Sequence, residues 1–291
     1  MKISRRFVRF GLSVLLLSGW NCCGMLSALE LPDPEWKPLF PGIDHAAIQV
    51  EEPLLKVNVL RIQADTPGLS FYSTGRIAGY EADKAETDRQ TVPDFLKEHG
   101  LAAAVNANFY SPFNGYTRKN RGPSDAKGLA VSDGVLVSPA NGYGSFVVRK
   151  DGLCEVKTTQ KDEPIDAVDQ AVSGRPMLLE DGQVPEFADP ARHPRTLAAV
   201  SADGKTVWFV TIDGRQAGFS IGATYAECGE ILQKLGADDG VNLDGGGSTT
   251  MTVRGEDGQP KVLNRPVGLG KPYTLRHNGN AIGVRVAEPA K

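Results

Sequence analysis

The chain has 291 residues, 41% hydrophobic and 23% charged, the balance of an ordinary globular protein rather than a disordered or fibrous one. That length allows one large domain or two small ones. The formal net charge of −3 comes without any basic run, which excludes a nucleic-acid binder and a protein laid on an anionic membrane.

The chain begins with Lys2, Arg5, Arg6 and Arg9 ahead of the apolar run Phe10 to Leu17, with small residues as far as Ala28. This pattern reads as a secretory signal over residues 1–28, cleaved near Ala28. The apolar run is short for a membrane span, although an uncleaved anchor remains an alternative. The mature protein is expected to be secreted or periplasmic. The leader carries four positive charges and no acidic residue, so the mature chain is the more acidic. Cys22 and Cys23 follow Gly19, Trp20 and Asn21, a poor context for lipidation. Beyond the leader only Cys154 and Cys228 remain, open to pairing or to burial as two thiols. Four scattered histidines and the lack of CxxC or HExxH argue against zinc. No cofactor is expected, while a structural calcium held by loop aspartates stays open.

Residues 29–45 are proline-rich and read as an extended arm, followed by a single domain over 46–288. Asp-Gly between apolar runs is a hairpin signal, and it recurs at Asp133-Gly134, Asp151-Gly152, Asp181-Gly182, Asp203-Gly204 and Asp257-Gly258. Residues 112–126 lack periodicity and read as a surface loop. A short helix is predicted over Thr91 to His99, capped by Thr91 and stopped by Gly100. A second begins at Thr224, where Glu227 completes a capping box, and buries Cys228, Ile231, Leu232 and Leu235 on one face. The fold class expected is α+β: a mixed sheet of many short hairpin strands, flanked by a few helices.

Strand Thr206 to Ile212 ends in Asp213-Gly214-Arg215, and strand Val241 to Leu243 ends in Asp244-Gly245. With the capped helix between them they form a strand-helix-strand unit, the pattern of a parallel crossover. If the two strands are neighbours, Asp213 and Asp244 meet at their carboxyl ends, where ligands of such sheets bind. Counting outward from the turn at Asp203-Gly204 sets His193 and Arg195 opposite residues 211–213. Asp-Gly occurs eight times, so either aspartate alone is as cheaply read as turn punctuation. Glu227 is divided evenly between capping and catalysis, and His193, ahead of Pro194, is open to a purely local role. The triple glycine Gly245-Gly246-Gly247 gives up backbone order, so something must approach that backbone closely. Its amides, with the Ser248 and Thr249 hydroxyls, suit an anion-binding nest, and Arg195 and Arg215 favour a phosphate or carboxylate there. The stretch is not a nucleotide P-loop, because no GxxxxGK[ST] is present. Ser248 lacks a GxSxG frame and reads as a hydrogen-bond donor to a ligand.

Several stretches together resemble the phosphodiester glycosidase family. They are Val105-Asn106-Ala107-Asn108-Phe109-Tyr110, His193-Pro194-Arg195-Thr196, Asp213-Gly214-Arg215, Glu227 on its helix, and Asn242-Leu243-Asp244-Gly245-Gly246-Gly247-Ser248-Thr249. They span roughly residues 100 to 255 in the family's order, and the last motif is the specific one. Leu197-Ala198-Ala199 departs from the smaller, glycine-containing run expected after Arg195-Thr196. The resemblance implies hydrolysis of a sugar 1-phosphodiester that releases the sugar and leaves a phosphomonoester, with a phosphorylated glycan as substrate. It further implies that Arg195, Arg215 and the Gly245 to Gly247 amides hold the phosphate, with His193, Ser248 and Thr249 beside it. Asn106, Asn108 and Asn242 would position the sugar or the catalytic groups. Asp244 first and Asp213 second would act at the anomeric carbon or on water, with Glu227 as a third catalytic candidate. Two alternatives stand beside this reading: a non-catalytic module for anionic polysaccharide, and a phosphodiesterase that attacks phosphorus, usually with metals.

Overall fold

The computed structural model describes residues 29–78, 85–112 and 119–287. The leader, and the centre of the loop expected over 112–126, lie outside these residues. Strands β1 (Lys37–Phe40), β2 (Ile43–Val50) and β3 (Leu55–Gln63) form a meander, followed by β4 (Leu69–Ser73) and β5 (Thr87–Arg89). The segment read as an extended arm therefore enters a sheet at Lys37. Its Leu29 is buried, and the Leu29 amide donates to Glu230 (2.8 Å). Helix α1 (Val92–Glu98) starts where the sequence places it: the Thr91 hydroxyl accepts from the Asp94 amide, and Pro93 occupies the first turn.

Next come β6 (Ala103–Asn106), β7 (Tyr110–Pro112) and β8 (Gly122–Ala126). β8 corrects the loop expected over 112–126. It pairs with β5 on one side and β7 on the other, alternating buried and half-buried side chains despite its Gly-Pro-Ser-Asp-Ala composition. Low β-propensity had concealed it, and cross-strand partners distant in sequence override that propensity. The pairs β9 (Ala130–Ser132) with β10 (Val135–Ser138), and β11 (Gly144–Arg149) with β12 (Cys154–Thr158), are hairpins turning at Asp133-Gly134 and Asp151-Gly152. Asp133 and Gly134 both take positive φ (49° and 72°), the geometry of a tight hairpin turn.

The chain continues through β13 (Val168–Gly174), β14 (Met177–Leu179), β15 (Arg195–Val200) and β16 (Thr206–Ile212). Helix α2 (Tyr225–Leu235) follows, with its capping box formed as expected and Gly236 at φ 89° closing it. Last are β17 (Asp239–Asn242), β18 (Met251–Arg254), β19 (Pro260–Val262) and β20 (Ala281–Val286). A seven-stranded sheet runs in the order β1-β2-β3-β16-β15-β17-β14; two five-stranded sheets (β10-β9-β13-β11-β12 and β19-β18-β6-β20-β4) and a three-stranded one (β5-β8-β7) complete the fold.

Two expectations need correcting. The described residues are mostly β, with two α-helices, and every pairing between these strands is antiparallel, so the sheets are not mixed. The unit β16-α2-β17 does not join neighbours either. β16 and β17 run in the same direction, but β15 lies between them, antiparallel to both. The hairpin partner of β16 has taken the position a simple crossover would give to β17.

Both faces of the central sheet are covered, so its strands read as continuous apolar runs. In β16, Val207 and Phe209 face one core while Trp208, Val210 and Ile212 face the other, where α2 packs through Cys228, Ile231 and Leu232. In the first core three sheets meet at three phenylalanines: Phe71, Phe146 and Phe209 pack edge to face with ring centroids 5.5–6.2 Å apart. No helix among the described residues is long and apolar enough to cross a membrane.

Asn106, at the end of β6 and wholly buried, links these layers. Its carbonyl oxygen accepts from the Thr196 hydroxyl (2.8 Å) and the Thr250 amide (3.0 Å), and its amide donates to the Asp244 carbonyl. Asn106→Ala leaves three buried polar groups without that partner, an expected loss of roughly 2–4 kcal/mol. Urea denaturation measures it, and a midpoint equal to wild type would remove Asn106 from this structural role.

Candidate active site

The register of the β15-β16 hairpin sets Arg195 opposite Ile212, so the start of β15 and the end of β16 open onto one edge. There, the chain leaving β17 passes through Leu243, Asp244 and the glycines into a short 3-10 turn, Gly246–Ser248. His193, Arg195, Arg215, Asn242, Asp244 and the glycine backbone line one cavity of about 320 Å³. Phe109, Tyr225 and Arg276 complete its wall. The volume lies at the small end for ligand sites, matching a group about the size of one sugar with a phosphate.

The three glycines answer to three different neighbours. A Cβ on Gly245 would lie 2.6 Å from the Pro194 carbonyl oxygen, which already accepts from the Gly246 amide (2.8 Å). Gly246 has φ 62°, and a Cβ there would stand 3.1 Å from the Arg215 guanidinium. At Gly247 the Arg276 guanidinium fills the space a side chain would need. The groups that approach this backbone are thus two arginines and a neighbouring chain, which modifies the expected nest. The Gly246 amide is committed to Pro194, and the arginines bring positive charge to the cavity wall.

Each cationic group is held by neutral neighbours. Arg195 is buried, donates to the carbonyls of Ala223 and Ala191 (both 3.1 Å) and lies 3.9 Å from the centre of the Tyr225 ring. Arg276 donates to the Gly268 carbonyl (3.2 Å) and the Ser248 hydroxyl (3.4 Å). Arg215 adopts φ 60°, a left-handed conformation that costs a non-glycine residue about 1–3 kcal/mol. Its guanidinium donates to His193 Nδ1 at 3.2 Å. Guanidinium has only donors, so Nδ1 is the acceptor and the neutral ring carries its proton on Nε2. Burial, then Arg195 and Arg215, push the His193 pKa below its usual value, which keeps the ring neutral at pH 7. None of the three arginines forms an ion pair with a carboxylate of the described residues. Among the described lining residues, three arginines stand against one carboxylate, Asp244, a balance that favours an anion.

Other residues predicted for the site lie outside this cavity. The Asp213 carboxylate is buried, accepting from Asn264 Nδ2 (3.0 Å) and the Arg265 amide (2.9 Å). Burial raises its pKa, with Asn264 and Arg265 opposing the shift. The intervening β15 accounts for its separation from the Asp244 cavity: the two strand ends are not adjacent. Glu227 accepts from the Thr224 amide (2.9 Å) in the capping box and from both Arg192 terminal nitrogens (2.5 and 2.7 Å). It lines a separate groove beside Leu29 and Glu230. Asn108 is spent inside the fold, accepting from the Ser173 amide and donating to carbonyls of residues 127–129. Ser248 and Thr249 are buried behind the glycine turn. Arg276, Tyr225 and Phe109 were missed. Tyr225, next to the cap residue Thr224, and Phe109, within the matched stretch, carried usable signals, whereas Arg276 reaches the cavity on a loop with no recognisable pattern.

Among the described residues no group of three or more His, Cys, Asp or Glu is placed to hold a metal ion. Cys154 and Cys228 are free buried thiols in the two different cores, each with its pKa pushed up to about 12 by burial.

A profile of the phosphodiester glycosidase family matches residues 99–285, which contain the whole cavity. The chain belongs to the phosphodiester glycosidase family. This is a family of hydrolases. Mouse N-acetylglucosamine-1-phosphodiester alpha-N-acetylglucosaminidase is 26% identical over 195 residues, 59% of this chain and 35% of that protein. The chain thus spans about a third of that relative's length. The auto-inhibited catalytic domain of the zebrafish enzyme of that name, bound by its pro-peptide, shares the fold: TM-score 0.64, 18% identity, 89% of each chain covered. A hypothetical protein from Synechocystis superposes with TM-score 0.60 at 17% identity, over 88% of this chain and 64% of the other. A putative exported protein from Burkholderia pseudomallei does so with TM-score 0.55 at 16% identity, over 80% and 74%.

Within this phosphodiester glycosidase the glycines separate stability from binding. Gly245→Ala forces a backbone carbonyl to move and is expected to cost about 1–3 kcal/mol. Gly247→Ala displaces chiefly the Arg276 guanidinium and meets the Gly268 carbonyl oxygen less closely, at 3.0 Å, so it is expected to cost less stability than Gly245→Ala while weakening phosphate binding more. Urea denaturation and calorimetry with inorganic phosphate check the pair, and equal destabilisation of both variants would refute the distinction.

Proposed function

We propose that the protein hydrolyses the bond between an anomeric carbon and a phosphate oxygen in a glycosyl phosphodiester of an envelope or extracellular glycan. The observation that carries this reading is that Asp244 lines the same cavity as Arg195, Arg215 and Arg276, the other charged groups among its described lining residues. The arginines hold the phosphodiester, each charge-assisted hydrogen bond contributing about 1.5–3 kcal/mol. Phosphate is a good leaving group and needs little protonation. The His193 Nε2–H and the arginines stabilise the negative charge that grows on it as the C–O bond breaks. Asp244 acts at the anomeric carbon, directly or through a water whose proton it accepts. The Asn242 carboxamide lines the cavity and donates to the Arg175 carbonyl (2.7 Å), which fixes the side chain where it can position the sugar. Asp213 becomes a positioning residue. Through Asn264, which also donates to the Thr249 carbonyl (3.1 Å), it anchors the end of the glycine turn.

The alternative of a pure polysaccharide binder fits less well. A carboxylate in an anion-binding cavity repels the ligand and weakens binding, a cost that chemistry at carbon explains and simple retention does not. Export is part of the proposal, on the strength of the leader-like residues 1–28. Mass spectrometry of envelope protein is expected to find an N-terminus near Leu29, and a membrane-bound form retaining Met1 to Ala28 would support an anchor instead.

Hydrolysis of a panel of sugar-1-phosphodiesters in oxygen-18 water tests the chemistry. The label is expected in the sugar, with the phosphate unlabelled. Asp244→Asn should lose turnover by a factor of about a thousand or more, the scale of removing a group that acts in the transition state. Asp213→Asn should lose far less. Label in the phosphate would overturn attack at carbon, and full activity of Asp244→Asn would remove that residue from the mechanism.

A further inference from the structure

A second cavity, of about 470 Å³, has walls in contact with those of the Asp244 cavity. Its wall includes Tyr143, Arg175, Glu180 and Phe187. Two contacts show how thin the ridge between the cavities is. Asn242, which lines the first, donates to the carbonyl of Arg175, which lines the second (2.7 Å). Phe187 of the second packs on Tyr225 of the first, with ring centroids 5.7 Å apart. The two linings therefore touch through two pairs of residues.

The chemistry of the second cavity differs from that of the first. Arg175 is opposed by Glu180, so no net charge selects an anion. The Arg175 guanidinium lies 5.0 Å from the centre of the Tyr143 ring and fixes its orientation. Tyr143 and Phe187 are half-buried, so their rings are held by the fold yet open to a ligand. Aromatic rings beside the polar side chains of Asn141, Thr158, Arg175 and Glu180 match a pyranose, which has an apolar C–H face and a rim of hydroxyls. A phosphate or a nucleotide would instead call for unopposed cations.

We propose that this second cavity is a subsite for a further, neutral sugar unit of the substrate, so that the enzyme prefers an oligosaccharide-linked phosphodiester to a single-sugar one. The inference rests on the glycosyl phosphodiester reading for its catalytic arm but not for its binding arm. A sugar held over Tyr143 reaches the Asp244 cavity across the Asn242–Arg175 ridge. Extension on that side adds binding energy without touching the reacting atoms, and remote binding energy of this kind can be used to position the reacting centre.

Two measurements test the proposal separately. The first is nuclear magnetic resonance of the full protein with neutral di- and trisaccharides built on glucose, galactose, mannose and N-acetylglucosamine. At least one is expected to shift the amides of Gly142, Tyr143 and Gly144, and the Tyr143→Ala variant should lose that response. No shift there with any of these sugars overturns the subsite. The second compares kcat/KM for monosaccharide and disaccharide 1-phosphodiesters. Tyr143→Ala and Arg175→Met should each lower the disaccharide value about tenfold and leave the monosaccharide value within twofold. Equal loss on both substrates, or no loss on either, overturns the subsite. Sugar-dependent shifts without hydrolysis of any phosphodiester would instead refute the catalytic reading and leave the subsite standing.

Discussion

A wholly buried carboxamide, Asn106, ties together chain segments that arrive from different sheets. It sits on β6 of a five-stranded sheet, accepts from Thr196 on β15 of the seven-stranded one, and holds the residues on either side of the glycine turn. The backbone of Asp244 is fixed from both directions, its carbonyl by Asn106 and its amide by Ala107 (2.8 Å). In so dry a place these bonds have no water to compete with them, and none can be lost without stranding a polar group. The position of the Asp244 backbone is therefore a consequence of core packing, with little left to the loop itself.

The cavity concentrates cost as well as charge. Burying Arg195 without a carboxylate is unfavourable, and two carbonyls and an aromatic face offset only part of that. Arg215 adds backbone strain, and its guanidinium stands close enough to lower the proton affinity of His193. Such tension persists because the surrounding sheets are stable enough to impose it. Under the proposed function an anionic substrate relieves it, supplying the negative charge that the fold withholds.

Much of this was legible from local pattern. The helix caps and Asp-Gly turns announce themselves within four residues, so α1, α2 and several hairpins could be placed from sequence. The opposition of Arg195 to Ile212 followed from counting along one hairpin. What escaped depended on contacts distant in sequence. β8 has the composition of a loop and becomes a strand because β5 and β7 flank it. The insertion of β15 between β16 and β17 is a choice of sheet order that no local signal encodes, and it moves Asp213 away from the Asp244 cavity. Arg276 comes from a loop some thirty residues beyond the turn it packs on. The three glycines were correctly read as making room, but what occupies that room could not be read from the glycines themselves.

The two cysteines of the described chain carry a quieter consequence. They lie in separate cores, one on either side of the central sheet, and burial keeps both thiols protonated far above neutral pH. A protonated, enclosed thiol neither attacks nor is attacked. No covalent cross-link between them contributes to holding the fold, so glutathione and oxidant alike leave these cores as they find them. As far as these two thiols are concerned, the packing of the described residues is indifferent to the redox potential of its surroundings.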